Sequence, residues 1–233
     1  MHRGVSFSVH TGSATWPPHQ TFTGRCVRIE PLDAKHIDDL YDSLGKLEYH
    51  AVWTYLPTGP FQDKESFSQF IESLTQTKDS VFYAVVDQVQ GKAVGFFSLM
   101  RIDLKNRVVE IGYITFSPLL QRTTTATEAF YLTARTVFED LGFRRFEWKC
   151  DNLNGPSKRA ATRFGFTAEG VFRQHMIVRG RNRDTAWYSM LKDEWDGSLR
   201  EAMEQWLDEN NFDADGKQKK KLEEFRDDIH SAQ

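Results

Sequence analysis

Three apolar, β-branched segments separated only by short polar turns dominate the middle of the chain: Val81 to Val86, Ala93 to Met100 and Arg107 to Phe116. Turns around Gly91 and over Asp103 to Asn106 are too short for a crossover, so these segments read as an antiparallel meander. The grammar then changes. Ser117-Pro118 ends the third strand, and a polar loop leads into an amphipathic helix from about Ala126 to Leu141. Arg144 to Cys150 reads as the next strand. Strand, helix, strand implies one parallel crossover inside an otherwise antiparallel sheet.

The flanks extend this pattern. Cys26 to Glu30 alternates like a half-buried strand, and Asp33 can cap a helix reaching Leu44. A second helix is expected over roughly Asp63 to Thr77, and a short one from Asn154 to Phe164, stopped by Gly165. Two last strands, Thr167 to Val178 and Arg183 to Leu191, flank the turn Arg179-Gly180-Arg181-Asn182. The expected fold class is α+β, with a mixed, mostly antiparallel sheet of about seven strands flanked by helices. Residues 1–23 read as an extended arm, 24–193 as the domain, and 194–233 as a charged helical tail. Leu199, Met203, Trp206 and Leu207 give that tail one modest apolar face.

Composition narrows the function. With 30 Lys and Arg against 33 Asp and Glu, the formal charge is −3, so no strongly basic nucleic-acid binder is expected. Two cysteines, Cys26 and Cys150, make neither a disulfide framework nor a zinc site. No run of about 20 apolar residues exists to span a membrane. The first residues lack the apolar core of a secretory signal, and the expected location is cytoplasmic. Asp213-Ala214-Asp215-Gly216 does not make a calcium loop: the glycine comes too early, and Lys219 to Lys221 fall where acids are needed. No metal is expected.

One constellation points to chemistry. A strand carrying Glu110-Ile111-Gly112-Tyr113 runs into Gln121-Arg122-Thr123-Thr124-Thr125-Ala126, which opens a helix. A helix start offers unpaired backbone N–H groups and the positive end of the helix dipole, and small side chains let a pyrophosphate approach. Arg122 adds a fixed charge. A plain capped helix accounts for the loop equally well. Downstream, Cys150 to Phe166 is a strand end, a turn, a small-residue helix and a Gly-Phe stop.

Taken together, Glu110-Ile111-Gly112-Tyr113, Gln121-Arg122-Thr123, Asn154-x-x-Ser157-x-x-Ala160, Gly165-Phe166, Val171-Phe172-Arg173-Gln174, and the closing strands with Asp184 and Trp187 resemble the GCN5-related N-acetyltransferases (GNAT). The branch resembled is that of the ribosomal-protein-alanine N-acetyltransferases of the RimJ/RimL type, over about residues 24 to 192. The pattern departs at one point. Thr124 stands where the superfamily's pyrophosphate loop has its first glycine, and Ala126 occupies the second position. A Cβ at 124 narrows the approach to phosphate and disfavours positive φ.

The resemblance implies a fold splayed between its fourth and fifth strands, and transfer of an acetyl group from acetyl-coenzyme A (acetyl-CoA) to an amine. It implies that Gln121, Arg122, Thr123, Thr124, Thr125 and Ala126 bind the pyrophosphate. Edge groups near Thr115 and Phe116 would take the pantetheine arm, with Asn154 and Arg159 as further coenzyme contacts. Glu110 is the implied general base and Ser157 the group beside the leaving sulfur. Cys150 has no histidine partner in sequence and is not read as a nucleophile. His175 reads as structural or surface. Trp53, Tyr55 and Phe61 in a Pro/Gly-broken loop, with Tyr188 or Trp187 on the last strand, are the candidate walls for the acceptor. That acceptor is a small-molecule amine or a peptide N-terminus, handled by a monomer or homodimer. The alternative is a catalytically weak or inactive acyl-CoA-binding or sensor module of the same fold, motivated by Thr124.

Overall fold

The computed structural model describes residues 12–231; the first half of the expected N-terminal arm and the last two residues lie outside that range. One eight-stranded sheet runs in the order β1-β2-β3-β4-β5-β6-β8-β7. The strands are β1 (Phe22–Thr23), β2 (Val27–Pro31), β3 (Val81–Asp87), β4 (Lys92–Asp103), β5 (Val108–Phe116), β6 (Arg145–Asp151), β7 (Thr167–Val178) and β8 (Arg181–Leu191). Every pairing is antiparallel except β5 with β6. The count exceeds the expected seven because the end of the arm, Phe22–Thr23, pairs with Ile29 and Arg28. Two residues carry no readable alternation.

The helices are α1 (Ile37–Leu40), α2 (Lys64–Thr75), α3 (Thr124–Arg135), α4 (Gly155–Arg163), α5 (Lys192–Glu194), α6 (Arg200–Leu207) and α7 (Leu222–Ser231). Two apolar cores follow. Leu40, Leu44, Phe67 and Ile71, from the α1 and α2 region, pack with Phe82, Ala84 and Phe96. Phe130, Leu132, Val137 and Phe138 pack with Val109, Ile111, Phe146 and Met190 in the second and larger core. Alternation along β3 and β4 feeds both cores, so these strands are buried along most of their length.

The tail belongs to the larger core and is not simply solvated. Trp195, Ala202, Met203, Trp206 and Leu222 are buried in it. Trp195 stacks on Phe138 at 5.6 Å and donates to Glu139 Oε1 at 3.0 Å. Each large side chain so buried contributes roughly 1.5–3 kcal/mol. The described part of the arm is likewise seated. Thr15 N donates to Leu141 O at 2.9 Å, and Tyr83 Oη donates to Pro18 O at 2.7 Å. Gly142 (φ +73) makes room for this, since a Cβ there would lie 2.7 Å from Ser13 O.

Two features of β5 open the sheet. Its parallel pairing with β6 covers four residues, from Val108 opposite Arg145 to Ile111 opposite Trp148, and stops there. Immediately beyond, β5 bulges against β4. Phe96 pairs Thr115 and Ser98 pairs Gly112, so Tyr113 and Ile114 together oppose Phe97. Tyr113 takes φ +50. A bulge increases the local twist, and here it turns the second half of β5 away from β6.

Candidate active site

The gap between the diverging strands is a cavity of about 310 Å³, lined among others by Tyr55, Glu110, Ile114, Asn154, Ser157 and Arg183. Glu110 on β5 and the pair Asn154 and Ser157 at the start of α4, two separate stretches of sequence, are thus brought to one cleft. Tyr55 joins them and donates its hydroxyl to Leu153 O at 3.1 Å.

Glu110 is 2% exposed. Arg101 Nη1 donates to its Oε1 at 2.6 Å, and Lys149 Nζ lies 2.8 Å from Oε2. Lys149 approaches off the hydrogen-bonding direction, so Oε2 has an ionic neighbour but no aligned donor. A buried carboxylate needs such cations, because desolvation disfavours its charged form. Neither Arg101 nor Lys149 stood out in the sequence. The polar alternation Arg145, Glu147, Lys149 along β6 was the available signal for the second.

Ser157 sits in the first turn of α4. Asn154 caps that helix, with its Oδ1 accepting from Ser157 N at 3.1 Å. Trp148 Nε1 donates to Ser157 Oγ at 2.9 Å. The hydroxyl is therefore held by an acceptor role and retains its proton for a third group. Cys150 lines the same cleft, but burial pushes its thiol above the ordinary value, with Ser157 and Arg183 opposing. A neutral thiol is a poor nucleophile. Arg159 is exposed near the start of α4, and a Cβ on Gly155 would lie 3.2 Å from its Nη1.

The loop before α3 is partly committed. Gln121 N donates to Ser117 O at 2.9 Å, Thr123 N to Leu120 O at 3.4 Å, and Ala126 N to the capping hydroxyl of Thr123 at 3.1 Å. The N–H groups of Arg122, Thr124 and Thr125 have no acceptor among the described residues. Thr124 is the first helical residue, and the left-handed conformation falls on Arg122 (φ +64). Position 124 therefore needs no glycine for its backbone angle. Gln121 Nε2 donates to Phe116 O at 2.7 Å and occupies one of the edge carbonyls expected to be open.

Three of the expected acceptor walls lie elsewhere. Trp53 is 1% exposed, packs against Phe61, Phe67 and Phe70, and donates its indole N–H to Leu44 O at 2.9 Å. Phe61 lies against Trp53 and Phe70, and Tyr188 is buried in the larger core. All three are packing residues: the broken loop folds Trp53 and Phe61 inward toward β4, and Tyr188 on β8 sits in the larger core. His175 is off the cleft wall: its Nδ1 is 3.0 Å from Thr185 Oγ1, and its ring neighbours Phe172 and Trp187.

Residues 27–167, more than half the chain, match the family model described as an acetyltransferase (GNAT) domain. The chain belongs to the GNAT family. A GCN5-related N-acetyltransferase from Brucella melitensis is 46% identical to this GNAT chain, with a TM-score of 0.90 over 94% of it and 99% of that structure. YdaF of Bacillus subtilis (strain 168), provisionally named a ribosomal N-acetyltransferase, is 33% identical over 46% of this chain. That match spans 58% of YdaF's own length. A ribosomal-protein-S5-alanine acetyltransferase from Vibrio fischeri shares the fold, with a TM-score of 0.60 at 16% identity over 75% of this chain and 98% of its own. Among the described residues no helix is long and apolar enough to cross a membrane, and no cluster of three or more His, Cys, Asp or Glu could hold a metal.

Proposed function

We propose that this chain is an acetyl-CoA-dependent N-acetyltransferase acting on the primary amine of a small molecule, an amino acid or a peptide N-terminus. The observation that carries the reading is the end of the β5–β6 pairing at Ile111 and Trp148, which opens the sheet onto Glu110, Asn154 and Ser157. Strand edges that stop pairing leave backbone groups for an extended ligand, and a pantetheine arm has amides to match them. The unpaired amides of Arg122, Thr124 and Thr125 at the start of a 12-residue helix suit a pyrophosphate. When bound there, acetyl-CoA supplies an acetyl group activated as a thioester.

The protein's own groups then have three tasks. Glu110 takes the proton that an ammonium must lose before it can attack, through a water in the cleft; its Oε2 has the lone pair without an aligned donor. Arg101 and Lys149 hold that carboxylate in place. Ser157 directs its remaining O–H at the departing sulfur and stabilises the charge that develops there. Asn154 holds Ser157 in place through the helix cap.

A panel of amines scored for thiol release from acetyl-CoA tests the reading. Release with at least one primary amine is expected. Binding of acetyl-CoA with no release across a broad panel would instead describe a coenzyme-binding module.

A further inference from the structure

One cation in the cleft has no acidic partner among the described residues. Arg183, on β8, lines the cleft and is half-buried. Its Nε donates to Thr185 Oγ1 at 3.2 Å, the one hydrogen bond of its side chain among the described residues, and it has no ion pair among them. The two acids of the cleft wall are engaged otherwise. Glu110 is held by Arg101 and Lys149, and Asp151 Oδ1 accepts from Leu153 N at 2.8 Å. A guanidinium partly removed from water loses hydration, and a carboxylate restores the lost interactions with paired, charge-assisted hydrogen bonds.

Its place in the fold assigns this cation to the acceptor. Arg183 lies on the β7–β8 hairpin, two strands along the sheet from β5, whose end feeds the loop suited to the pyrophosphate. Arg179 of the same hairpin donates to Trp53 O at 3.4 Å, which ties the hairpin to the loop carrying Tyr55. Met176 and Val178 of this hairpin also line the cleft.

We propose that the acceptor is an amine that also bears a carboxylate, and that Arg183 binds that carboxylate and determines specificity. The inference rests on the acetyltransferase reading. The same chemistry comes from the α-carboxylate of a free amino acid or from an acidic side chain near a peptide N-terminus.

Matched acceptors test it: an amino acid against its carboxamide, and a short peptide with Asp in second position against its Asn counterpart. The acid is expected to exceed the amide in kcat/KM by about tenfold or more in one pair, the size of a charge-assisted contact. Preference in the first pair identifies a free amino acid as the source, and in the second a peptide. R183Q should bring that ratio close to one, R183K should keep part of it, and the Kd of R183Q for acetyl-CoA should match the wild type. Equal rates for acid and amide in both pairs would overturn the inference. So would a ratio that survives R183Q, or an R183Q defect confined to coenzyme binding. Turnover of neutral or cationic amines without acid preference removes the role of Arg183 alone. Absence of thiol release with every acceptor removes the acetyltransferase reading, and this inference with it.

Discussion

The Lys149 ammonium lies 2.8 Å from Glu110 Oε2 and ties the candidate base on β5 to the neighbouring strand β6. Its position answers an electrostatic problem set by register. Glu110 and Glu147 are direct partners in the parallel pairing, and like charges opposite one another repel. Lys149 stands 2.8 Å from Glu147 Oε2 as well, and its Nζ is 3.8 Å from the centroid of the Trp187 ring. Arg101 and Arg145 complete the row from the two ends.

Replacing Lys149 with Met should therefore unmask the repulsion. The expected loss is about 1–3 kcal/mol in unfolding free energy, measured by urea denaturation, since both carboxylates keep one cation. Adding E110Q to K149M should recover stability, because it removes one of the two repelling charges. A double variant less stable than K149M would show that Lys149 does not act through Glu110.

Glu110→Gln alone should lower kcat by about 10²–10⁴, the range for loss of a general base, while the acetyl-CoA Kd stays the same. Steady-state kinetics beside calorimetric titration separates the two. A kcat unchanged from wild type would remove Glu110 from the proton path.

Ser157→Ala should act twice. It removes the donor beside the sulfur and leaves the buried Trp148 indole N–H without its acceptor. A fall in kcat is expected together with about 1–3 kcal/mol lost in stability, the cost of one unsatisfied buried donor. Chemical denaturation and turnover, followed in parallel, check both halves.

Arg122→Gly should stabilise the fold and weaken coenzyme binding at once. The left-handed backbone at Arg122 costs a side chain about 1 kcal/mol that glycine does not incur. The lost guanidinium should raise the Kd for coenzyme A. A rise in melting temperature accompanied by unchanged affinity would mean that Arg122 does not reach the phosphates.

Glu30 predicts an acid limit to stability. Burial would raise its carboxyl, but hydrogen bonds from Lys35, Arg28 and His36 outweigh that and bring it down to about 2 from 4.5. A carboxyl lowered on folding stabilises the protein above the unfolded value, and that contribution fades as pH falls from about 4.5 to about 2. The gap in melting temperature between wild type and E30Q should thus be widest at neutral pH and close across that interval. A gap constant with pH would exclude this source.

The sequence made the scaffold readable where periodicity or capping chemistry was strong. The meander β3-β4-β5, the crossover through α3, the cap at Asp33 and the helices near Asp63 and Asn154 all follow from local pattern. Partnerships across the sheet were not readable. Glu110 was visible as a carboxylate on a strand, but its ties to Arg101 and Lys149 depend on register, which no local signal fixes. Trp53 and Phe61 looked like cleft walls because aromatic residues in a broken loop suit either a pocket or a core. The fold decides, and it sends them inward. The strain expected at Thr124 falls on Arg122 instead, because the helix begins at 124. Trp195 and Ala202 lie outside the weak apolar stripe that was legible in the tail, yet both are fully buried.

Hydrogen–deuterium exchange with and without acetyl-CoA tests the central claim most directly, since it reads the amides that should grip the coenzyme. Slower exchange is predicted in two segments, residues 122–125 at the start of α3 and residues 112–116, the half of β5 that pairs with β4 but no longer with β6. Binding that leaves both segments unprotected, or saturating acetyl-CoA that protects no part of the chain, would contradict the account.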